Sequence, residues 1–454
     1  MKKQPTQHRQ QQVRSQRISL DQAMQMAIAV HRDGQPQIAA QHYRAILEVE
    51  PAHADALHYL GVAQHQLGRR DDAIRLIRRA LDIAPGYIDA RNNLGNMQKE
   101  GGHFAEAEQT YRSVIEARPD FAPAYSNLGV VLKEQGRHAD AAEAYRKAVA
   151  LAPDFVEGWI NLGHLLKKVD QLQEALTAYR NAVLIQPDST EALRGVARSL
   201  AAFGRLEEAL EVYRQWERLE PDNPVVQHHI AACSGQPAPQ RASDAYVQQT
   251  FDRFAGSFDE VLAGLGYRAP ALCGEMVARL LNPALLQSRS LQVLDAGCGT
   301  GLCGPVLRPL AAHLHGVDLS AGMLAKAAER RDYDALDEAE LTAWLTAHPQ
   351  AYDLIVSADT LCYFGRLDEV VSAAAGALRS GGHLVFTVEQ TAEEDEAQAP
   401  RFKLHSHGRY SHSESYLRQV LTTAGLEVSE ISHVVLRSEV KKPVAGLLVG
   451  ARKP

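Results

Sequence analysis

Proline returns at a fixed interval of 34 residues along the first half of the chain, at Pro51, Pro85, Pro119, Pro153, Pro187 and Pro221. Four other positions keep the same register. One is always alanine (Ala39, Ala73, Ala107, Ala141, Ala175, Ala209), and one is tyrosine (Tyr43, Tyr111, Tyr145, Tyr179, Tyr213) with Ile77 as the exception. A third is glycine (Gly34, Gly68, Gly102, Gly136, Gly204) with Asp170 as the substitute, and a fourth is small throughout (Ala27, Gly61, Gly95, Gly129, Gly163, Ala197). A strict period of this length means that each unit is one helix pair too small to bury its own apolar face, so the units must stack. The register assigns each class a task. The small residue and the alanine let the two helices approach, and the tyrosine fills the space between units. The glycine ends the first helix in a left-handed turn, and the proline stops the second.

These residues at these spacings resemble the tetratricopeptide repeat (TPR), over residues 18–221 as six units, and the resemblance implies an all-α solenoid. Residues 222–234 would then form a capping helix over the last open face. Residues 1–17 carry five basic side chains, six glutamines and no acid, and lack an apolar segment, so they read as a disordered tail rather than a signal peptide. Asn93, Asn127 and Asn161 keep a further register, each in an Asn-Leu-Gly triplet on a first helix. First helices line the concave surface of a TPR superhelix. The triplets resemble those in the TPR domain of O-linked N-acetylglucosamine transferase, which implies a groove that grips extended polypeptide. An amide both donates and accepts, so it can hold a peptide backbone without reading its sequence. The competing reading is that these amides brace the next repeat, and the ladder lapses at Gln25, Tyr59 and Gly195.

Charge divides the chain unevenly. Residues 1–242 hold 29 basic and 29 acidic side chains, whereas 243–454 hold 19 and 26, so the whole net charge of −7 lies in the second half. That balance disfavours a nucleic-acid partner, which needs a basic face. No run of 18 apolar residues is present, so no membrane span is expected. The five cysteines form no CxxC pair, which fits a reducing, cytoplasmic setting. The segment 235–242, rich in proline and small polar residues, reads as a linker.

Beyond it the period disappears, and short apolar runs alternate with helical patterns, the signature of an α/β domain over 243–454. The strand Leu291–Asp295 runs straight into Ala296-Gly297-Cys298-Gly299-Thr300-Gly301. Glycines there let the backbone approach a ligand. Leu302 stands where a dinucleotide fingerprint needs its third glycine, and Asp295 would repel a pyrophosphate, so a nicotinamide cofactor is disfavoured. An acid suits a cationic amino-acid headgroup instead. A second strand ends at Asp318, 23 residues on.

The D-x-G-x-G-x-G form resembles motif I of class I S-adenosylmethionine-dependent methyltransferases. The segments Leu314–Ser320, Tyr352–Asp359 and Leu378–Glu389 resemble the following strands of that family. The resemblance implies a Rossmann-like domain with a seven-stranded, mostly parallel sheet whose last strand is antiparallel, and S-adenosyl-L-methionine as cofactor. It assigns cofactor contacts to Asp295, Gly297, Cys298, Gly299, Gly301, Asp318, Leu319, Met323 and Asp359, with Glu340 and Leu341 at the adenine; Asp334 and Asp337 compete with Glu340. Tyr246, Phe251, Phe254 and Phe258 stand at helical spacing, as core or as a helical lid of the kind related methyltransferases place over the cofactor. Arg409, Tyr410 and His412 are candidates to face the methyl acceptor or to form a polar hairpin. The spacing of His405, His407 and His412 fits no standard metal set. The Glu393–Glu396 stretch reads as a solvated loop. Three functions compete: a methyltransferase whose TPR groove recruits a polypeptide, a small-molecule methyltransferase with TPRs for docking only, and a non-enzymatic adaptor that senses the cofactor.

Overall fold

The computed structural model describes residues 18–235, 237–391, 401–439 and 442–454; the tail 1–17 and the Glu393–Glu396 stretch lie outside the described residues. Packing divides the chain between Gln186 and Pro187 into two compact units.

The first unit is helical, five antiparallel pairs from Leu20–Arg32 with Pro36–Val49 to Val156–Lys168 with Leu172–Ile185. The register residues behave as local physics requires. Gly34, Gly68, Gly102, Gly136 and Gly204 all have φ between 73° and 77°, and Asp170 adopts φ 65° in the same place. The tyrosine ring sits inside its own pair rather than between units. A Cβ on Gly95, Gly129 or Gly163 would fall 2.6–2.7 Å from the ring of Tyr111, Tyr145 or Tyr179, and these rings are at most 1% exposed. Glycine on the first helix and tyrosine on the second are thus one contact, written twice in the sequence.

The second unit opens with the sixth pair, Thr190–Ala202 and Leu206–Leu219, and the capping helix Pro224–Cys233. That cap does not end in a solvated face. His229 stacks on Tyr213 at 5.3 Å between ring centroids, and His228 stacks on Tyr246 at 3.9 Å while its Nε2 meets the Gly408 carbonyl at 2.9 Å. The segment after it is pinned rather than free. Gln240 O accepts from the amides of Gly365 and Arg366, Ala242 N donates to Tyr363 O, and Tyr410 Oη donates to Pro239 O.

A nine-stranded sheet follows. Its strands are β1 (Leu291–Ala296), β2 (Ala311–Asp318), β3 (Ala335–Glu338), β4 (Tyr352–Ser357), β5 (Leu378–Gln390), β6 (Phe402–Leu404), β7 (Tyr410–His412), β8 (Glu427–Glu439) and β9 (Lys442–Arg452). Seven run side by side as β3-β2-β1-β4-β5-β9-β8, parallel through β5, with the last strand β9 antiparallel to both neighbours. The two strands beyond the expected seven are the three-residue β6 and β7, a hairpin joined to the end of β5 at Glu389 and Gln390. Apolar clusters cover both faces, which is why β1 and β4 read as nearly continuous apolar runs. The chain order reverses between β1 and β4, and a crevice opens at such a point beyond the carboxyl ends of the strands. Among the described residues no helix is long and apolar enough to cross a membrane.

The glycine–tyrosine contact makes a prediction. Gly129→Ala forces a methyl group onto Tyr145 and should cost about 1–3 kcal/mol. Gly136→Ala meets no neighbour but holds alanine in a left-handed turn, for about 1–2 kcal/mol. Urea unfolding of the two variants checks both losses.

Candidate active site

The site is built at the reversal, where β1 ends. Asp295 is 1% exposed. Its Oδ2 accepts from Tyr333 Oη at 2.6 Å, and its Oδ1 has no hydrogen-bond partner among the described residues. Burial pushes its carboxyl up to about 7, Tyr333 pulls the other way, and neighbouring Asp318 adds to the rise. A buried carboxylate oxygen without a donor is a vacancy for positive charge.

The glycine loop after β1 is clamped to β2 by the amides of Gly297 and Cys298, which both donate to Val317 O. Gly297 has φ 77° and lies so close to Thr360 that a Cβ would stand 2.2 Å from its Oγ1; this position needs glycine. Around Gly299, at φ 54°, the Cβ position is open space. Cys298 is buried beside it.

Asp318 ends β2. Its two oxygens accept from Gly299 N (2.8 Å) and Ser320 N (2.9 Å), and burial still raises its carboxyl, the backbone donors only offsetting part of it. Leu319 N is a third backbone donor to it, so of a carboxylate's roughly four lone-pair positions about one remains for a ligand. Leu319 is half-buried and Met323 is buried in the first turn of the helix Ala321–Arg330, whose N-cap is Ser320.

Two further acids reach the turns that follow β1 and β2. Asp252, on the helix Asp244–Phe254, accepts from Ser320 Oγ and Gly322 N; Asp259, on Phe258–Gly264, accepts from Thr300 Oγ1 and pairs with Arg330. The aromatic spacing pointed to these helices, but not to the aspartates beside the phenylalanines. They sit on two different helices, so no helical period flagged them.

The remaining predicted positions lie around β3, β4 and β7, and Ala339 N beside Glu340 donates to Asp318 O. Glu340 caps the helix Leu341–Ala347 through Ala343 N and faces Arg241 at 3.4 Å, with Leu341 buried next to it. Asp334 pairs with Arg308 and Asp337 with His315. Asp359, just past β4 at φ 55°, is not on the glycine loop but in a buried ion cluster. Arg437 on β8 donates to Asp359, Glu389 and Glu439, and Arg409 donates to Glu389 and Glu439. Glu389 stands at the end of β5, and its side chain is 6% exposed. Arg437 and Glu439 alternate on one face of a strand, a period-2 pattern that could have flagged them. Tyr410 and His412 are fully buried, and His412 Nε2 bonds to the Gly365 carbonyl, so both side chains face the fold rather than an open cleft.

In the first unit, Asn93 Nδ2 meets His58 Nε2 at 2.8 Å, and Lys99 Nζ donates to Asn127 Oδ1 at 3.0 Å. Both bonds join adjacent repeats. Asn161 is half-buried and has no side-chain hydrogen bond among the described residues.

Comparison with known proteins finds a match for each of the two kinds of region. A methyltransferase-domain family matches residues 265–431, and a tetratricopeptide-repeat family matches 25–88, 93–154 and 160–224. Human methyltransferase-like protein 27 is 42% identical over 78 residues, 17% of this chain and 31% of that protein. The malonyl-[acyl-carrier protein] O-methyltransferase of Acetivibrio thermocellus is 33% identical over 116 residues, 25% of this chain and 41% of that protein. The trans-aconitate 2-methyltransferase of Paracidovorax citrulli is 31% identical over 123 residues, 25% of this chain and 47% of that protein. The chain spans between about a third and a half of the length of these relatives. It is a protein of tetratricopeptide repeats joined to a methyltransferase domain.

The raised Asp295 carboxyl sets a pH test. Its folded value lies above the usual carboxylate range, so its contribution favours the fold at low pH and is lost as pH rises through about 7. Wild type should therefore lose on the order of 2 kcal/mol relative to Asp295→Asn between pH 5 and pH 8, measured by denaturant unfolding.

Proposed function

We propose that the chain is an S-adenosylmethionine-dependent methyltransferase whose TPR unit recruits a polypeptide that carries or presents the methyl acceptor. The observation that carries the reading is the unpartnered, buried Asp295 oxygen beneath an open glycine loop. Such an oxygen fits the ammonium of an amino-acid headgroup. Asp318, with about one lone-pair position to spare beside Gly299, fits a ribose hydroxyl. The bound cofactor supplies a methyl group already activated by sulfonium charge.

The protein's own work is then positioning and exclusion of water. Asp252 ties its helix to the Ser320–Gly322 turn and Asp259 ties its helix to the glycine loop, which fits a lid over the site. Cys298 and Met323 add apolar surface to its walls. On the TPR side, repeats are protein-interaction modules, and the amide register Asn93, Asn127 and Asn161 is the part of the groove we assign to polypeptide. Asn161 offers both its donor and its acceptor. The second reading, a small-molecule acceptor with the repeats used for docking alone, draws on the trans-aconitate enzyme among the relatives.

Calorimetry tests the cofactor site. Binding should release the Asp295 proton, so affinity for S-adenosylmethionine should rise about tenfold from pH 6 to pH 8 and become flat with pH in Asp295→Asn. Gly299→Arg, which fills the open space, should abolish binding. Unchanged affinity in Gly299→Arg counts against the site. Radiolabel transferred to protein bands and lost in Asn127→Ala with Asn161→Ala supports recruitment through the groove; label confined to small molecules refutes it.

A further inference from the structure

In the amide register of the first helices, Gln25 and Tyr59 stand where later repeats carry Asn93, Asn127 and Asn161. The lapse is not a blank stretch. Gln25 and Tyr59 line a pocket of about 270 Å³ in the first repeats of the first unit, together with Asp21, Ile28, Asp55 and Tyr87. The acids keep the 34-residue interval too. Asp21, Asp55 and Asp89 each stand four residues before the register position, and so on the same helix face. The two acids that line the pocket are exposed, and neither has an ion pair among the described residues. Asp89, which does not line it, pairs with Arg118 at 3.4 Å.

Among the described residues no lysine or arginine lines this space. His53 does line it, but its Nδ1 accepts from Ala56 N at 3.3 Å, which a neutral ring can do and an imidazolium cannot. His58, next to Tyr59 in the chain, is 3% exposed, and burial lowers its ring to about 4, so it too is neutral at pH 7. The aromatic walls are fixed. The two nitrogens of His58 meet Tyr87 Oη at 2.9 Å and Asn93 Nδ2 at 2.8 Å, which holds the Tyr87 ring, and Tyr59 is stacked on Tyr43 at 5.9 Å between centroids. Met24 and Ile28 add apolar surface to the lining.

An acid in the first turn of a helix has an ordinary use, since it complements the helix dipole, and Asp21 and Asp55 both sit there. That use does not call for two fixed tyrosines and an apolar wall in the same pocket. We propose that this pocket receives one lysine or arginine side chain of the polypeptide that the repeats recruit. The methylene stem of such a side chain fits against Met24 and Ile28, and its charged head fits the two carboxylates and the tyrosine rings. An anionic side chain would meet two unpaired carboxylates, and an apolar one would strip water from them without replacing it. At about 270 Å³ the space lies below the range for drug-sized ligands, roughly 300–1,000 Å³, and suits a single side chain. The proposal rests on the recruitment reading and names the residue class for it: the later amides hold backbone, and the first two repeats read charge.

The test pans a phage-displayed random peptide library on the full chain. Enriched peptides should share a lysine or arginine at one position. In the tightest synthetic peptide, norleucine at that position should weaken binding about tenfold or more, measured by fluorescence anisotropy. In a chain carrying Asp21→Asn and Asp55→Asn, which keep the side-chain shape and remove the charge, the two peptides should bind within about twofold of each other. Gln25→Lys, which puts a cation into the lining, should abolish the preference as well and checks that result independently. Enriched peptides without a basic position, or a preference that survives in both variants, overturn the pocket assignment and leave recruitment standing. Enrichment of no peptide overturns the recruitment reading itself. A gain in affinity of about tenfold on removal of residues 1–17, with their five basic side chains and no acid, gives the pocket to the chain's own tail and overturns the proposal.

Discussion

One carboxylate at the carboxyl end of a buried strand governs the second unit. Asp295 lies where the sheet order reverses, with apolar cores on both faces and a single donor, Tyr333, on one of its oxygens. Leaving such a group half-satisfied is unfavourable, and folded proteins tolerate it mainly at functional sites. Its surroundings are arranged around that deficit. Gly299 leaves open space in the loop that follows it, Asp318 ends the neighbouring strand, and Asp252 and Asp259 fasten helices to Ser320 and Thr300.

The helical half obeys a different constraint, close approach of two helices. Each glycine or alanine on a first helix admits an aromatic or branched side chain from the second, and the pair is stable because that contact is dry. The same economy ends at the capping helix. Its His228 and His229 do not face solvent but pack on Tyr246 and Tyr213 within the second unit. Packing divides the chain before the sixth pair, earlier than the repeat pattern does.

Much of this was legible in the sequence because the signals are backbone signals. Left-handed glycines at a 34-residue interval and a glycine loop after an apolar run state φ values and close approaches directly, and the structure holds both. Side-chain partnerships were less visible. The short β6–β7 hairpin has strands of three residues, too few to show a period. Arg437, Glu389 and Glu439 come from strands far apart in sequence, and only the fold brings them to Asp359. Asp252 and Asp259 were hidden by their aromatic neighbours, whose spacing reads first as core. Glu340, the residue expected at an adenine, caps a helix and faces Arg241, and Ala339 N beside it donates to Asp318 O.

The central claim is that the Asp295 vacancy receives a cation from S-adenosylmethionine. Carbon-13 NMR titration of the Asp295 carboxyl measures it directly. In the free protein it should titrate near 7, and with the cofactor bound it should fall into the ordinary carboxylate range. A carboxyl that titrates at the same pH with and without the cofactor would contradict the account.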